Sequence, residues 1–161
     1  MAFDVFTSRL AEWWVHEFTW SGREHLDTIG IEPCLGGKAY EIGPHGFRVD
    51  WGRVLWWEPP QRLVLSWQIA PDRVPQPDPA HGSEIEVRFR PHRDGTVVEL
   101  EHRHFDRHGP AAAGYRGAMT DGWRELLGRY AETCRTAAAG EGGPEGTNGN
   151  CPAGIDGRQH G

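Results

Sequence analysis

The chain has 161 residues, of which 37% are hydrophobic and 11% aromatic, and its formal net charge is −6. This length and aromatic content predict one domain with a buried core, which excludes intrinsic disorder for most of the chain. The negative charge without a basic run excludes nucleic acid as the expected partner, and no apolar run approaches the ~20 residues that span a bilayer.

The first predicted element is an amphipathic helix. Its apolar residues recur at helical spacing and share one face: Phe3, Phe6, Leu10, Trp13 and Trp14. The sequence pattern of residues 17–29 is compatible with either a helical turn or a loop. Two short extended pieces follow, and Pro33 and the Gly36–Gly37 pair mark the turn between them.

Strands dominate the middle of the sequence. Pro59–Pro60 forms a stiff turn between two of them, and Asp94–Gly95 is the turn of a probable hairpin. The proline-rich stretch 71–82 is predicted to be a loop. Alternating apolar and charged residues, or bounded apolar runs, predict strands over residues 47–57, 62–69, 84–90 and 96–105.

The last predicted element is a long helix from about Pro110 to Ala138. Its apolar stripe contains Tyr115, Met119, Gly122, Trp123, Leu126, Leu127, Tyr130 and Cys134. Glycine is a poor helix former, so Gly122 on this stripe suggests the close approach of a strand or a ligand. The sequence thus predicts one domain over residues 1–138 and a flexible glycine-rich tail over residues 139–161.

The start of the sequence and its cysteines bear on the compartment. The N-terminal residues lack the charged and apolar regions of a secretory signal. The three cysteines are odd in number and lack CxxC spacing. Free thiols in a cytoplasmic protein are therefore expected.

Several segments, in order, resemble one superfamily: AFDVFTS, EPCLGGKAYE, WGRVLWWEPPQRLVLSW and DGTVVELEHRHFDRHG. They resemble the START-like (SRPBCC, Bet v 1-like helix-grip) superfamily. More closely, residues 2–137 resemble bacterial homologues of the C-terminal domain of the heat shock protein 90 ATPase activator. The resemblance implies an α+β helix-grip fold, in which a curved antiparallel sheet wraps a long C-terminal helix around an apolar cavity. The family usually has a strand before the AFDVF helix, and this sequence begins at the helix, so we expect either that the strand lies upstream or that the sheet lacks it. Cys34 stands where the family usually has arginine.

Members of the superfamily bind hydrophobic molecules, and some are cyclases or hydrolases. The inward aromatic stripes favour a non-enzymatic protein, without a cofactor, that binds a hydrophobic small molecule or lipid in this cavity. Two alternatives stay open: a co-chaperone-like module with a chaperone as partner, and a cyclase- or hydrolase-type enzyme. No catalytic residue is assigned, and membrane insertion is not expected. The inward-facing stripes supply the candidate cavity residues: Trp14, Leu65, Trp67, Val87, Phe89, Leu100, His102, Met119, Trp123, Leu127 and Tyr130.

The stretch ELEHRHFDRHG resembles the HxHxDH signature of two-metal hydrolases, but Arg107 separates the acid from the last histidine. A two-metal centre needs further ligands later in the chain, and only His160 follows His108. No metal site is therefore predicted. Strand-end histidines with exposed tips are expected. Strand alternation directs His102 towards the cavity, where it is either a buried histidine that bonds to a neighbouring carbonyl or hydroxyl, or a polar group that orients a ligand or transfers a proton.

Overall fold

The computed structural model describes residues 1–140, so nearly all of the predicted tail lies outside the described residues. The helices are α1 (Ala2–Ser8), α2 (Leu10–Trp13), α3 (Gly22–His25) and α4 (Ala112–Gly140). The strands are β1 (Thr28–Ile31), β2 (Lys38–Ile42), β3 (Arg48–Glu58), β4 (Arg62–Trp67), β5 (Ser83–His92) and β6 (Gly95–Arg103). The four predicted strands and the two short extended pieces are thereby confirmed.

The strands form one antiparallel sheet in sequence order, from β1 at one edge to β6 at the other. Register shifts at Ala39/Tyr40 and at Val54/Trp56 bend β2 and β3. Gly52 allows close strand contact, because a Cβ there would lie 2.5 Å from the Ser66 carbonyl oxygen. The sheet is curved as a result, and α4 packs in its concave face, which confirms the α+β helix-grip fold.

The N-terminal helix is interrupted. One helix was predicted, but Arg9 separates α1 from α2 with a non-helical ψ of 29°. The predicted apolar face is nonetheless fully buried. Two hydrogen bonds fix this region: Trp13 Nε1 donates to the Val5 carbonyl at 3.0 Å, and the Tyr130 hydroxyl of α4 donates to the Ala2 carbonyl at 2.8 Å.

The C-terminal helix spans 29 residues, close to the predicted range. Its buried residues follow the predicted stripe and contact the sheet and α1: Tyr115, Trp123, Leu126, Tyr130 and Ala137. Within residues 1–140, no helix combines the length and the apolar character that crossing a bilayer requires.

The cysteines differ from expectation at one position. Cys134 on α4 carries a free thiol, as expected. Cys34 lies in the turn between β1 and β2 and is disulfide-bonded, so the expectation of a free thiol is wrong there. Cys151 lies outside the described residues.

Candidate functional site: an aromatic cavity

A cavity of about 300 Å³ lies between α4 and two loop segments, residues 14–20 and 69–73. Six aromatic side chains form most of its wall: Trp14, Phe18, Trp20, Trp67, Tyr115 and Trp123. Met119 and Gly122 complete the wall on the α4 side. Arg73, at the rim, is the only charged residue among the described side chains that line the cavity. The space therefore suits an apolar molecule that has a polar edge.

Three tryptophans form a rigid part of the wall. The Trp67 and Trp123 ring centroids are 5.5 Å apart, and Trp14 meets Trp123 edge-on at 5.9 Å. Trp67 Nε1 donates to the Tyr115 hydroxyl at 2.9 Å, and that hydroxyl donates to the Ile69 carbonyl at 2.8 Å. Burial raises the pKa of Tyr115, which keeps its hydroxyl protonated as a donor. The rings are consequently held in place before any ligand arrives.

The two loop segments are joined across the cavity mouth. Arg73 Nη2 donates to the Phe18 carbonyl at 2.9 Å, and Trp20 Nε1 donates to the Arg73 carbonyl at 2.7 Å. Arg73 adopts a left-handed φ of 67°, which is uncommon for a residue with a side chain. We call this pair of reciprocal hydrogen bonds the clasp. It fixes the rim of the cavity through side chain to main chain contacts.

A buried acid supports the first loop segment from behind. Glu41 on β2 is 0% exposed. Its carboxylate accepts hydrogen bonds from Trp20 N at 3.0 Å, Ser21 N at 2.9 Å and Ser21 Oγ at 2.7 Å. These donors neutralise the desolvation cost of the buried acid and hold Trp20 at the cavity wall.

A chain of hydrogen bonds leads from the cavity wall towards the surface. Trp123 Nε1 donates to His102 Nδ1 at 3.1 Å, because an indole nitrogen can only donate. Neutral His102 then carries its proton on Nε2 and donates to Ser83 Oγ at 2.7 Å, which leaves the Ser83 hydroxyl to donate to His108 Nε2 at 3.1 Å. Both nitrogens of His102 are thus occupied, and the chain fixes the ring of Trp123.

Burial keeps this histidine uncharged. Desolvation, and to a smaller extent repulsion from His108, lowers the pKa of His102 to about 3. Burial also lowers the pKa of His108. His102 therefore acts in the structure as a neutral support for Trp123, which lines the cavity, and His102 itself does not line it.

The remaining residues of the histidine-rich stretch diverge. His104 follows β6 with a left-handed φ of 63°, and its Nε2 lies 3.6 Å from a Glu84 carboxylate oxygen. Asp106 is exposed in the following turn. Across residues 1–140, no three histidine, cysteine or acidic side chains are grouped in a way that could hold a metal ion.

The structure brings together only part of the predicted candidate set. The candidates that line the cavity are Trp14, Trp67, Met119 and Trp123. Those buried in the core away from it are Leu65, Val87 and Phe89, while Leu100 and His102 are half-buried nearby on β6. Leu127 and Tyr130 line a separate depression further along α4.

Sequence reasoning missed several lining residues, chiefly in loops. Phe18 and Trp20 lie in the segment whose pattern was ambiguous, and Arg73 lies in the proline-rich loop. Two aromatic residues in an otherwise polar loop were the available signal for them. Tyr115 was placed on the α4 stripe but was not selected as a cavity residue.

A curved antiparallel sheet that grips a long C-terminal helix is the helix-grip fold of START-like proteins. The family model described as "Activator of Hsp90 ATPase homolog 1-like protein" matches residues 1–134, and the chain belongs to this family. The comparison with curated proteins gives no match.

Solved structures share this fold. An anthrahydroquino-gamma-pyrone synthase, Txn09, is 40% identical, with a TM-score of 0.55, and the match covers 81% of this chain and 85% of that one. The self-sacrificing resistance protein CalC from Micromonospora echinospora is 27% identical, with a TM-score of 0.56 and coverage of 87% and 88%. Protein NE0264 from Nitrosomonas europaea, at 16% identity, a TM-score of 0.60 and coverage of 86% and 87%, is similar in fold alone.

Proposed function

We propose that this protein binds a flat, hydrophobic aromatic molecule in the cavity beneath the clasp. The observation that carries the proposal is the aromatic wall, in which six rings surround a space of about 300 Å³. Aromatic rings stack on or meet other rings edge-on with a gain beyond that of burial alone. A volume near 300 Å³ is also at the lower end of the range for small-molecule sites.

The rim suggests that the ligand carries oxygen. The Arg73 guanidinium has no acidic side chain within ion-pair distance among residues 1–140, and it donates to the main-chain carbonyls of Phe18 and Thr19. It is exposed beside the mouth, where it can also meet a polar or anionic edge of a ligand. The similarity to a protein named as a pyrone synthase supports an oxygenated polycyclic compound. Native mass spectrometry of freshly purified protein would detect such a compound if it co-purifies.

Filling the cavity from α4 is expected to abolish binding. A Cβ at Gly122 would lie 3.8 Å from Phe18, so Gly122→Leu places its remaining atoms in the cavity. We expect the affinity for anthraquinone-2-sulfonate to fall at least about tenfold, equivalent to about 1.4 kcal/mol. Isothermal titration calorimetry on the wild type and the variant measures this change.

The matched control is Gly128→Leu on the same helix. Gly128 is exposed, and nothing lies within 4 Å of its would-be Cβ. Both variants gain similar helix propensity, so thermal unfolding controls for folding. Equal affinity in the wild type and both variants would place the ligand elsewhere and refute the proposal.

An enzyme that closes a ring in such a molecule is the second candidate, because a synthase is 40% identical to this chain. His102 does not favour this function, since both of its ring nitrogens are engaged and it does not line the cavity. The cavity itself would have to fold the substrate, with Tyr115 and Arg73 as the adjacent polar groups. If this function is correct, incubation with an uncyclised aromatic polyketide should yield a product of altered absorbance and chromatographic retention. Gly122→Leu should stop the conversion, and equal conversion by both proteins, or by buffer alone, would contradict it.

A further inference from the structure

Trp51 is the exception among the buried polar side chains. Its ring is 2% exposed. Within residues 1–140, its Nε1 is the only buried side-chain nitrogen or oxygen without a hydrogen-bond partner. By contrast, the indole nitrogens of Trp13, Trp20, Trp67 and Trp123 all donate to an oxygen or nitrogen atom of the chain. An unpaired buried donor costs stability, so its retention points to an acceptor from outside the chain.

The position of Trp51 connects it to the cavity. It lies on β3, and its ring centroid is 5.7 Å from that of Trp14 and 5.4 Å from that of Trp67. Both of these rings line the aromatic cavity. Trp51 therefore forms a second layer directly behind the cavity wall.

A small space of about 10 Å³ adjoins this second layer. Trp51 and Glu41 line it, together with four residues that it shares with the aromatic cavity: Trp14, Phe18, Trp20 and Ile69. A space of this size accommodates about one water-sized group. We call this space, which adjoins the cavity through these four shared residues and is bordered by Trp51, the side pocket.

We propose that the ligand carries a neutral carbonyl oxygen that enters this side pocket and accepts a hydrogen bond from Trp51 Nε1. The inference rests on the proposed function and narrows its ligand to aromatic ketones or quinones. An indole nitrogen can only donate, so the partner must be an acceptor. The Glu41 carboxylate lines the same side pocket and repels an anionic oxygen, which favours a carbonyl over a phenolate.

A matched pair of probes tests the inference: anthraquinone-2-sulfonate and anthracene-2-sulfonate, which differ at positions 9 and 10, where the first has carbonyl groups and the second has aromatic C–H groups. We expect the wild type to bind the quinone about tenfold more tightly than the hydrocarbon, as one hydrogen bond allows. Trp51→Phe should remove this preference, so that the variant binds the two probes with equal affinity. Trp56→Phe, an exposed position on the same strand, should keep the wild-type ratio.

The other outcomes are separable. An equal quinone-to-hydrocarbon ratio in the wild type and Trp51→Phe would overturn the carbonyl contact but leave aromatic binding intact. If the wild type binds neither probe, the proposed function and this inference both fail.

NMR of ¹⁵N-tryptophan-labelled wild type gives a readout that does not depend on the variant's folding: the quinone, and not the hydrocarbon, should shift the Trp51 indole N–H resonance downfield. An unchanged Trp51 resonance with bound quinone would overturn the contact.

Discussion

Replacing the buried Glu41 with alanine is expected to lower the free energy of unfolding by about 3 kcal/mol or more, because three donors lose their acceptor at once. The donors are the main-chain nitrogens of Trp20 and Ser21 and the Ser21 hydroxyl. Urea denaturation at neutral pH measures the loss. Since Trp20 forms part of the cavity wall, ligand affinity should fall as well.

Two further variants make this result specific. Glu41→Gln keeps the size of the side chain but turns an amide NH₂ towards donors, so an intermediate loss is expected. Glu101→Ala removes an exposed acid from β6 and should change stability by less than about 0.5 kcal/mol. A loss below about 1 kcal/mol for Glu41→Ala would mean that water replaces the carboxylate, contrary to the burial described above.

Acidification is expected to destabilise the fold through His102. The pKa of this group is about 3 in the folded protein, against 6.5 for the unperturbed side chain. Between these values the unfolded chain binds a proton that the folded chain does not, so stability falls as the pH falls. The contribution of neutral His102 to the free energy of unfolding is fully present above pH 6.5. It falls by up to about 1.4 kcal/mol per pH unit below that value, and the loss ends near pH 3.

Denaturation by urea between pH 6.5 and pH 5 isolates this effect from most carboxylate titration. His102→Gln preserves an acceptor for Trp123 and a donor for Ser83, and it should flatten the dependence on pH. Part of the slope should persist, because burial also lowers the pKa of His108. His25→Gln, at an exposed position, is the control and should keep the wild-type slope. A wild-type slope in His102→Gln would refute this assignment.

Periodicity predicted the parts of the site that lie on regular elements. Trp14, Trp67 and Trp123 occupy apolar stripes, and the structure places all three at the cavity. Leu65 and Val87 satisfy the same periodicity but lie in the core, because alternation identifies the inward face of a strand and not the depth of the space beyond it. The depth of that space depends on how α4 and the loops pack against the sheet, and a local sequence pattern does not predict this packing.

The loop contributions could not be predicted from spacing. The Trp20 to Arg73 hydrogen bond joins residues 53 positions apart, in segments without any apolar period. The role of His102 was also out of reach, although its inward orientation was predicted. Only the positions of Trp123 and Ser83 show which ring nitrogen accepts and which donates.

The clasp leaves the rim open to variation in ligand preference. Arg73 holds the main-chain oxygen of Phe18, and Trp20 holds that of Arg73, so neither hydrogen bond depends on the phenyl ring of Phe18. A substitution of Phe18 can therefore replace that ring while both hydrogen bonds of the clasp remain. Homologues with the same fold can therefore differ in ligand specificity through one or two substitutions at the entrance of the cavity.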